Sequence, residues 1–124
     1  MPTFIRRERR PLTEEERILL EWLLANGSAE AKPYLSQIAN VNVVGKCTCG
    51  CPTIDLALGD REQRKTAPSI ILADFVGKAP ESIEVGVILH AREGEISELE
   101  VYAIPDWTGP FNLPNIESLN SDVQ

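Results

Sequence analysis

Residues 83–104 read IEVGVILHAREGEISELEVYAI, and the fold is best approached from this stretch. Apolar residues recur at every second position near both ends, which predicts two strands, at 83–91 and 96–104. Gly94 lies between them, where glycine readily adopts the left-handed backbone of a hairpin turn. The stretch therefore predicts an antiparallel hairpin with one apolar face and one mixed face.

The register of this hairpin depends on the length of its turn. A two-residue turn at 93–94 would pair Leu89 with Glu98 and so mix apolar with charged side chains. A three-residue turn at 92–94 pairs Leu89 with Ser97 and keeps one face apolar. Because a buried face requires consistent alternation, we expect the three-residue turn.

The second face of the hairpin carries polar and aromatic side chains. Such a composition is typical of a sheet that helices cover on one side and that is open to solvent or a partner on the other. An acidic surface also steers basic partners towards it. We therefore predict a surface that binds a basic protein and that also allows a homo-oligomer, formed by Ile88, His90, Ile96, Glu98, Glu100 and Tyr102.

The rest of the chain predicts an α+β domain. Thr13 and Glu16 form a capping box at the start of a helix that ends near Asn26-Gly27, and a shorter helix is expected at 28–39. Alternating residues predict three more strands, at 41–49, 53–58 and 69–76. We expect an N-terminal helical hairpin packed on a mainly antiparallel sheet of about five strands, followed by an irregular C-terminal strap.

The expected organisation is a basic arm at 1–11, a single α+β domain at 12–119 and a frayed tail at 120–124. The buried core is expected to combine one stripe of the helices with the apolar face of the sheet. Its predicted members are Ile18, Leu19, Trp22, Leu23, Leu35, Ile38, Val43, Ile54, Leu56, Leu72, Val85, Val87, Leu89, Leu99 and Val101.

Composition restricts the class of protein. The chain has 124 residues, of which 43% are hydrophobic, so it can bury one core. Its 12 Lys and Arg against 19 Asp and Glu give a net charge of −7, which disfavours binding to nucleic acid. The apolar runs are too short to span a membrane, and the N-terminal arginines are not followed by the apolar run of a secretory signal. We expect a cytoplasmic protein without membrane contact.

Three cysteines alternate in the run Cys47-Thr48-Cys49-Gly50-Cys51-Pro52, and the chain has no others. On a straight strand such thiols lie about 7 Å apart on one side, and buried free thiols are the first interpretation. A bend at Gly50 would instead gather them around a metal ion, and redox-active thiols are a third interpretation. The ligands of a zinc site would be Cys47, Cys49, Cys51 and His90.

Two segments resemble strands of small uncharacterised bacterial proteins, namely C-T-C-G-C-P-T at 47–53 and G-E-I-S-E-L-E-V-Y at 94–102. The opening R-P-L-T-E-E-E at 10–16 is similar to theirs too. In size, charge and architecture the chain also resembles, more loosely, the immunity proteins of bacterial toxin systems. That resemblance implies a domain that binds a protein and catalyses nothing.

Three functional hypotheses follow from these observations. The leading one is a small, non-catalytic protein-binding domain without a cofactor. The alternative is a thiolate protein that binds zinc or undergoes redox chemistry. The third is an enzyme that uses His90 with Cys51, Asp55 or Glu98, which the sequence favours least because nothing local brings these residues together.

Overall fold

The structure, a computed structural model, describes residues 5–59 and 66–121 of the chain. It is an α+β fold in which one α-helix and two 3₁₀ helices accompany one sheet. Helix α1 spans Glu14–Asn26, and the 3₁₀ helices span Lys32–Asn40 and Ile116–Ser118. The strands are β1 (Ile5–Pro11), β2 (Val41–Cys47), β3 (Ile54–Leu58), β4 (Ser69–Lys78), β5 (Glu84–Arg92), β6 (Glu95–Ala103) and β7 (Asn120–Ser121).

The described strands form one antiparallel sheet in the order β1-β2-β3-β6-β5-β4-β7. The α+β class and the antiparallel sheet are confirmed. The sheet is wider than the five strands expected, because β1 and β7 extend its edges. Both edge strands come from segments that we expected to be an arm and a tail; edge pairing uses backbone hydrogen bonds and needs no apolar alternation. The remainder of that arm and tail lies outside the described residues.

An ion pair ties the end of β1 to the start of α1. The Arg10 guanidinium donates to both carboxylate oxygens of Glu16, at 2.9 and 3.0 Å. Glu16 also accepts from the Thr13 amide, while the Thr13 hydroxyl accepts from the Glu16 amide, so the predicted capping box is present. Burial opposes ionisation of Glu16, but Arg10 and Thr13 hold its pKa below the ordinary value. Part of the basic N-terminal segment is therefore bound into the fold.

The turn between β5 and β6 has two residues, with Arg92 paired to Glu95. Glu93 and Gly94 both have left-handed backbones, with φ of 51° and 79°. This combination is typical of the tight hairpin turns that match the twist of a sheet. Our prediction of a three-residue turn was therefore wrong.

A bulge beside this turn explains why the faces of the hairpin, apart from Ile96, were nevertheless assigned correctly. The ladder shifts between His90 and Ala91, and Ser97 is left out of it. Beyond the bulge Leu89 pairs with Leu99, so apolar residues meet despite the short turn. One extra residue thus restores the alternation that a two-residue turn alone would lose.

The core lies between the helices and one face of the sheet. Most of the predicted core residues are buried, but Ile18 and Leu35 are 39% and 38% exposed. Trp22 is half-buried and packs edge-to-face on Phe75, with ring centroids 4.9 Å apart. Ile18 was misplaced because the buried stripe of α1 consists of Leu19, Leu20, Leu23 and Leu24.

The second, shorter helix expected at 28–39 is a 3₁₀ helix that spans Lys32–Asn40. Leu35 therefore does not follow the α-helical spacing from which its burial was predicted. No helix within 5–59 or 66–121 has both the length and the apolar character needed to cross a bilayer.

Candidate metal centre and adjoining cleft

The cysteine run forms a turn rather than the end of a strand. β2 ends at Cys47, two residues earlier than expected, and β3 begins only at Ile54. Gly50 has a φ of 102°, a backbone conformation that residues other than glycine rarely adopt. The Cys47 amide donates to the Thr53 carbonyl at 3.2 Å and closes the base of the turn. The bend at Gly50 is thus present, and the straight, evenly spaced arrangement is not.

This turn gathers the three thiols. The Sγ atom of Cys49 lies 2.9 Å from that of Cys47 and 2.9 Å from that of Cys51. These separations are longer than a disulfide bond of about 2.05 Å, and all three cysteines are free. Cys47 is buried, Cys51 is half-buried and Cys49 is exposed. The turn therefore presents Cys49 to solvent more than either of the other two thiols.

The thiols differ in their tendency to ionise. Burial, together with hydrogen bonding to Cys49, raises the pKa of Cys47 to about 12. Burial also opposes ionisation of Cys49, but hydrogen bonds with the Cys47 and Cys51 thiols lower its pKa below the ordinary value. Cys49 therefore becomes a thiolate at lower pH than Cys47, and the thiolate is the form that attacks electrophiles and binds metals.

The cluster has the donor type and size of a site for a soft metal ion. All three Sγ atoms lie within 4.8 Å of one another. Zinc–sulfur bonds of about 2.3 Å would place tetrahedral thiolates about 3.8 Å apart, so neighbouring sulfurs need to separate by somewhat less than 1 Å. The described part of the chain brings no fourth His, Cys, Asp or Glu donor into this cluster. Three protein ligands would leave one coordination position for another molecule.

His90, the expected fourth ligand, is not part of the cluster. It lies on β5, and its Nε2 atom is 2.9 Å from Oε1 of Glu100. Two strands separate β5 from β2, so the distance across the sheet is about 14 Å at roughly 4.8 Å per strand. The predicted set of three cysteines and one histidine is therefore not formed.

A cleft of about 790 Å³ opens beside the thiols, and all three cysteines line it. Strand β6 contributes a second wall, and the segment after β6 contributes a third. The cleft thus joins the cysteines to part of the surface predicted to bind a partner, two features that we had treated as alternatives. Beyond the thiols, its lining includes Glu98, Glu100, Tyr102, Asp106 and Trp107.

The predicted binding surface is only partly present. Tyr102 is 42% exposed, and the other polar members are half-buried on the open face. Ile96 is completely buried and does not belong to that surface. Its misplacement follows from the bulge at Ser97, because Ile96 pairs with Ala91 and faces the core. Ile88 is half-buried on the open face.

Three residues of the enzyme hypothesis occupy adjacent strands. Glu98 pairs with His90 on one side and with Asp55 on the other, so they form one row across β5, β6 and β3. Asp55 is only 6% exposed. Cys51, the thiol named in that hypothesis, lies in the turn with the other thiols. The hydrogen-bond partner of the histidine, Glu100, was not part of that hypothesis.

Sequence reasoning missed the wall formed by Asp106 and Trp107. We had expected the segment after the last predicted strand to be an irregular strap, without a particular place beside the cysteines. The Phe111 amide donates to the Gly50 carbonyl at 3.3 Å, which holds this segment against the cysteine turn. A tryptophan in a Pro- and Gly-containing segment was the available signal, since large aromatic residues are often found at binding sites.

No family model matches the chain, and neither the curated proteins nor the solved structures contain a significant match. The function is therefore inferred from the residues and geometry of the site.

Proposed function

We propose that this domain binds one zinc ion through the thiolates of Cys47, Cys49 and Cys51. The observation that carries the proposal is the gathering of three Sγ atoms within 4.8 Å on a single turn. Thiolates are soft ligands, which suit zinc and disfavour magnesium and calcium. A zinc ion with three protein ligands keeps a fourth position open, and here the thiols line a cleft.

The exposure of the thiols supports metal binding over a purely structural use of cysteine. Cysteines that only fill a core are among the most buried residues. Only Cys47 fits that description, whereas Cys49 is exposed. A reducing compartment such as the cytoplasm, the expected location, would keep all three thiols free to bind metal.

Protein purified without chelator is expected to contain one zinc per chain by elemental analysis. Alkylation should modify the cysteines slowly until a chelator removes the metal, because coordinated thiolates are protected. Zinc added back at 100 times its Kd should stabilise the fold by about 2.7 kcal/mol. Unchanged thiol reactivity and unchanged thermal unfolding on adding zinc would contradict the proposal.

A second candidate function is the binding of a basic protein at the rim of the cleft. Tyr102, Ile104 and Trp107 are 42%, 50% and 41% exposed. Aromatic side chains are common anchors of protein interfaces, and here two of them lie beside Glu100 and Asp106 in the cleft lining. This combination of exposed rings and carboxylates suits a basic partner.

Charge reversal tests this second function. The double variant Glu98→Lys/Glu100→Lys is expected to weaken binding of a hexa-arginine peptide at least tenfold, as measured by calorimetry at low salt. Glu30→Lys is the matched control, because Glu30 is exposed and does not line the cleft. Equal binding by both variants and the unmodified protein would exclude this surface as the binding site.

A further inference from the structure

The open coordination position of the proposed zinc site has a defined environment. With three thiol ligands on its wall, the cleft of about 790 Å³ has the size of pockets that hold small molecules, roughly 300–1,000 Å³. A ligand in the cleft can therefore contact the metal and the walls at once. The chemistry of the walls indicates what kind of ligand this is.

The charge of the site disfavours a ligand that carries a carboxylate or phosphate group. Zinc with three thiolates carries one net negative charge. The lining adds the carboxylates of Glu98, Glu100 and Asp106, and none of the described lining residues is Lys, Arg or His. His90, which contacts Glu100, lies outside this lining. A carboxylate or phosphate ligand would be repelled by both the metal site and these walls, whereas a cationic group would be attracted.

The aromatic lining favours the same kind of ligand. Tyr102 and Trp107 are both partly exposed in the cleft, and aromatic rings attract cations through their faces. The Tyr102 ring packs over Gly86 on the neighbouring strand, at a place where a Cβ atom on residue 86 would overlap it. One cation-attracting ring is therefore held in position by the sheet.

The metal itself selects the donor atom. A zinc ion with three sulfur ligands accepts a further soft donor readily, and a thiolate is the softest donor common in biology. We propose that the cleft binds a small aminothiol, whose sulfur takes the fourth position on zinc and whose ammonium group faces Glu100 and Asp106. This proposal rests on the zinc site. On binding, the S–H bond of the ligand breaks, its proton passes to solvent and the sulfur electron pair forms the zinc–sulfur bond.

The test uses protein loaded with Co²⁺, whose visible spectrum reports a change of ligand. Three thiols of similar size serve as probes: cysteamine is cationic, 2-mercaptoethanol is neutral and mercaptoacetate is anionic. We expect affinity to fall in that order. The preference for cysteamine over 2-mercaptoethanol should decrease about fivefold in Glu100→Gln/Asp106→Asn, because each exposed charge pair contributes modestly. It should also decrease in high salt.

Glu30→Gln is the control, since it removes one carboxylate away from the cleft and should leave the preference unchanged. An unchanged preference in the double variant would overturn the proposal, as would thiols that strip cobalt from the protein in gel filtration. If the spectrum of the cobalt-loaded protein does not change with any of the three thiols, the aminothiol proposal is wrong and the metal site is still supported. A protein that takes up no cobalt overturns both.

Discussion

Cys49→Ser is expected to weaken zinc binding by at least a hundredfold. The Cys49 sulfur lies 2.9 Å from both other sulfurs, so its removal leaves two separated donors. Loss of a group that only supports a ligand already costs about 10- to 100-fold in affinity, and loss of a ligand should cost more. Competition with a chromophoric chelator measures the affinity directly.

The stability of the metal-free fold distinguishes Cys49→Ser from Cys47→Ser. Cys49 is exposed, so serine there should leave the free energy of unfolding nearly unchanged without metal. Cys47 is 5% exposed, and serine there places a hydroxyl in its buried site at a cost of about 1–3 kcal/mol. Thr48→Ser lies in the same turn and should bind zinc like the unmodified protein. Zinc binding by Cys49→Ser at unmodified affinity would refute the three-thiolate site.

Gly50→Ala is expected to weaken zinc binding about tenfold although it removes no ligand. Gly50 has a φ of 102°, and holding another residue in such a conformation costs about 1–3 kcal/mol. An added Cβ would also lie 3.0 Å from the Cα atom of Pro110. The turn must relax to accommodate it, and the relaxed turn no longer holds the thiols together; a loss of about 1.4 kcal/mol in binding is tenfold.

Gly94→Ala provides the matched control. Gly94 also has a left-handed backbone, with a φ of 79°, but an added Cβ meets nothing within 4 Å. This variant should lose stability through conformational strain alone and keep its zinc affinity. Zinc titration and urea unfolding of both variants separate the two effects. If Gly50→Ala behaves like Gly94→Ala in both measurements, the conformation of the cysteine turn does not control the site.

The strands and their faces could be predicted because the signal for them is local. Side chains alternate along a strand, so the spacing of Val85, Val87 and Leu89 is enough to identify a buried face. The capping box of α1 is equally local, since Thr13 and Glu16 are three residues apart. Both predictions were confirmed without knowledge of any partner strand.

The register of the β5–β6 hairpin could not be predicted from local sequence patterns. Alternation shows only which positions share a face. A three-residue turn keeps the apolar residues on one face, and a two-residue turn does so as well when a bulge lies at Ser97. The same bulge reversed the orientation of Ile96 and removed it from the predicted surface. A bulge has no distinctive sequence pattern here, because serine is compatible with either face.

The candidate site depended on contacts between distant parts of the chain. The sequence indicated that the cysteine run carried chemistry and that Gly50 could bend it. It did not indicate that two strands would separate His90 from β2, or that Asp106 and Trp107 would line the same cleft as the thiols. Short-range patterns encode which side of a strand is buried. Which strands become neighbours follows from backbone pairing across the whole sheet, and that pairing brought the thiols, the carboxylates and the aromatic rings into one cleft.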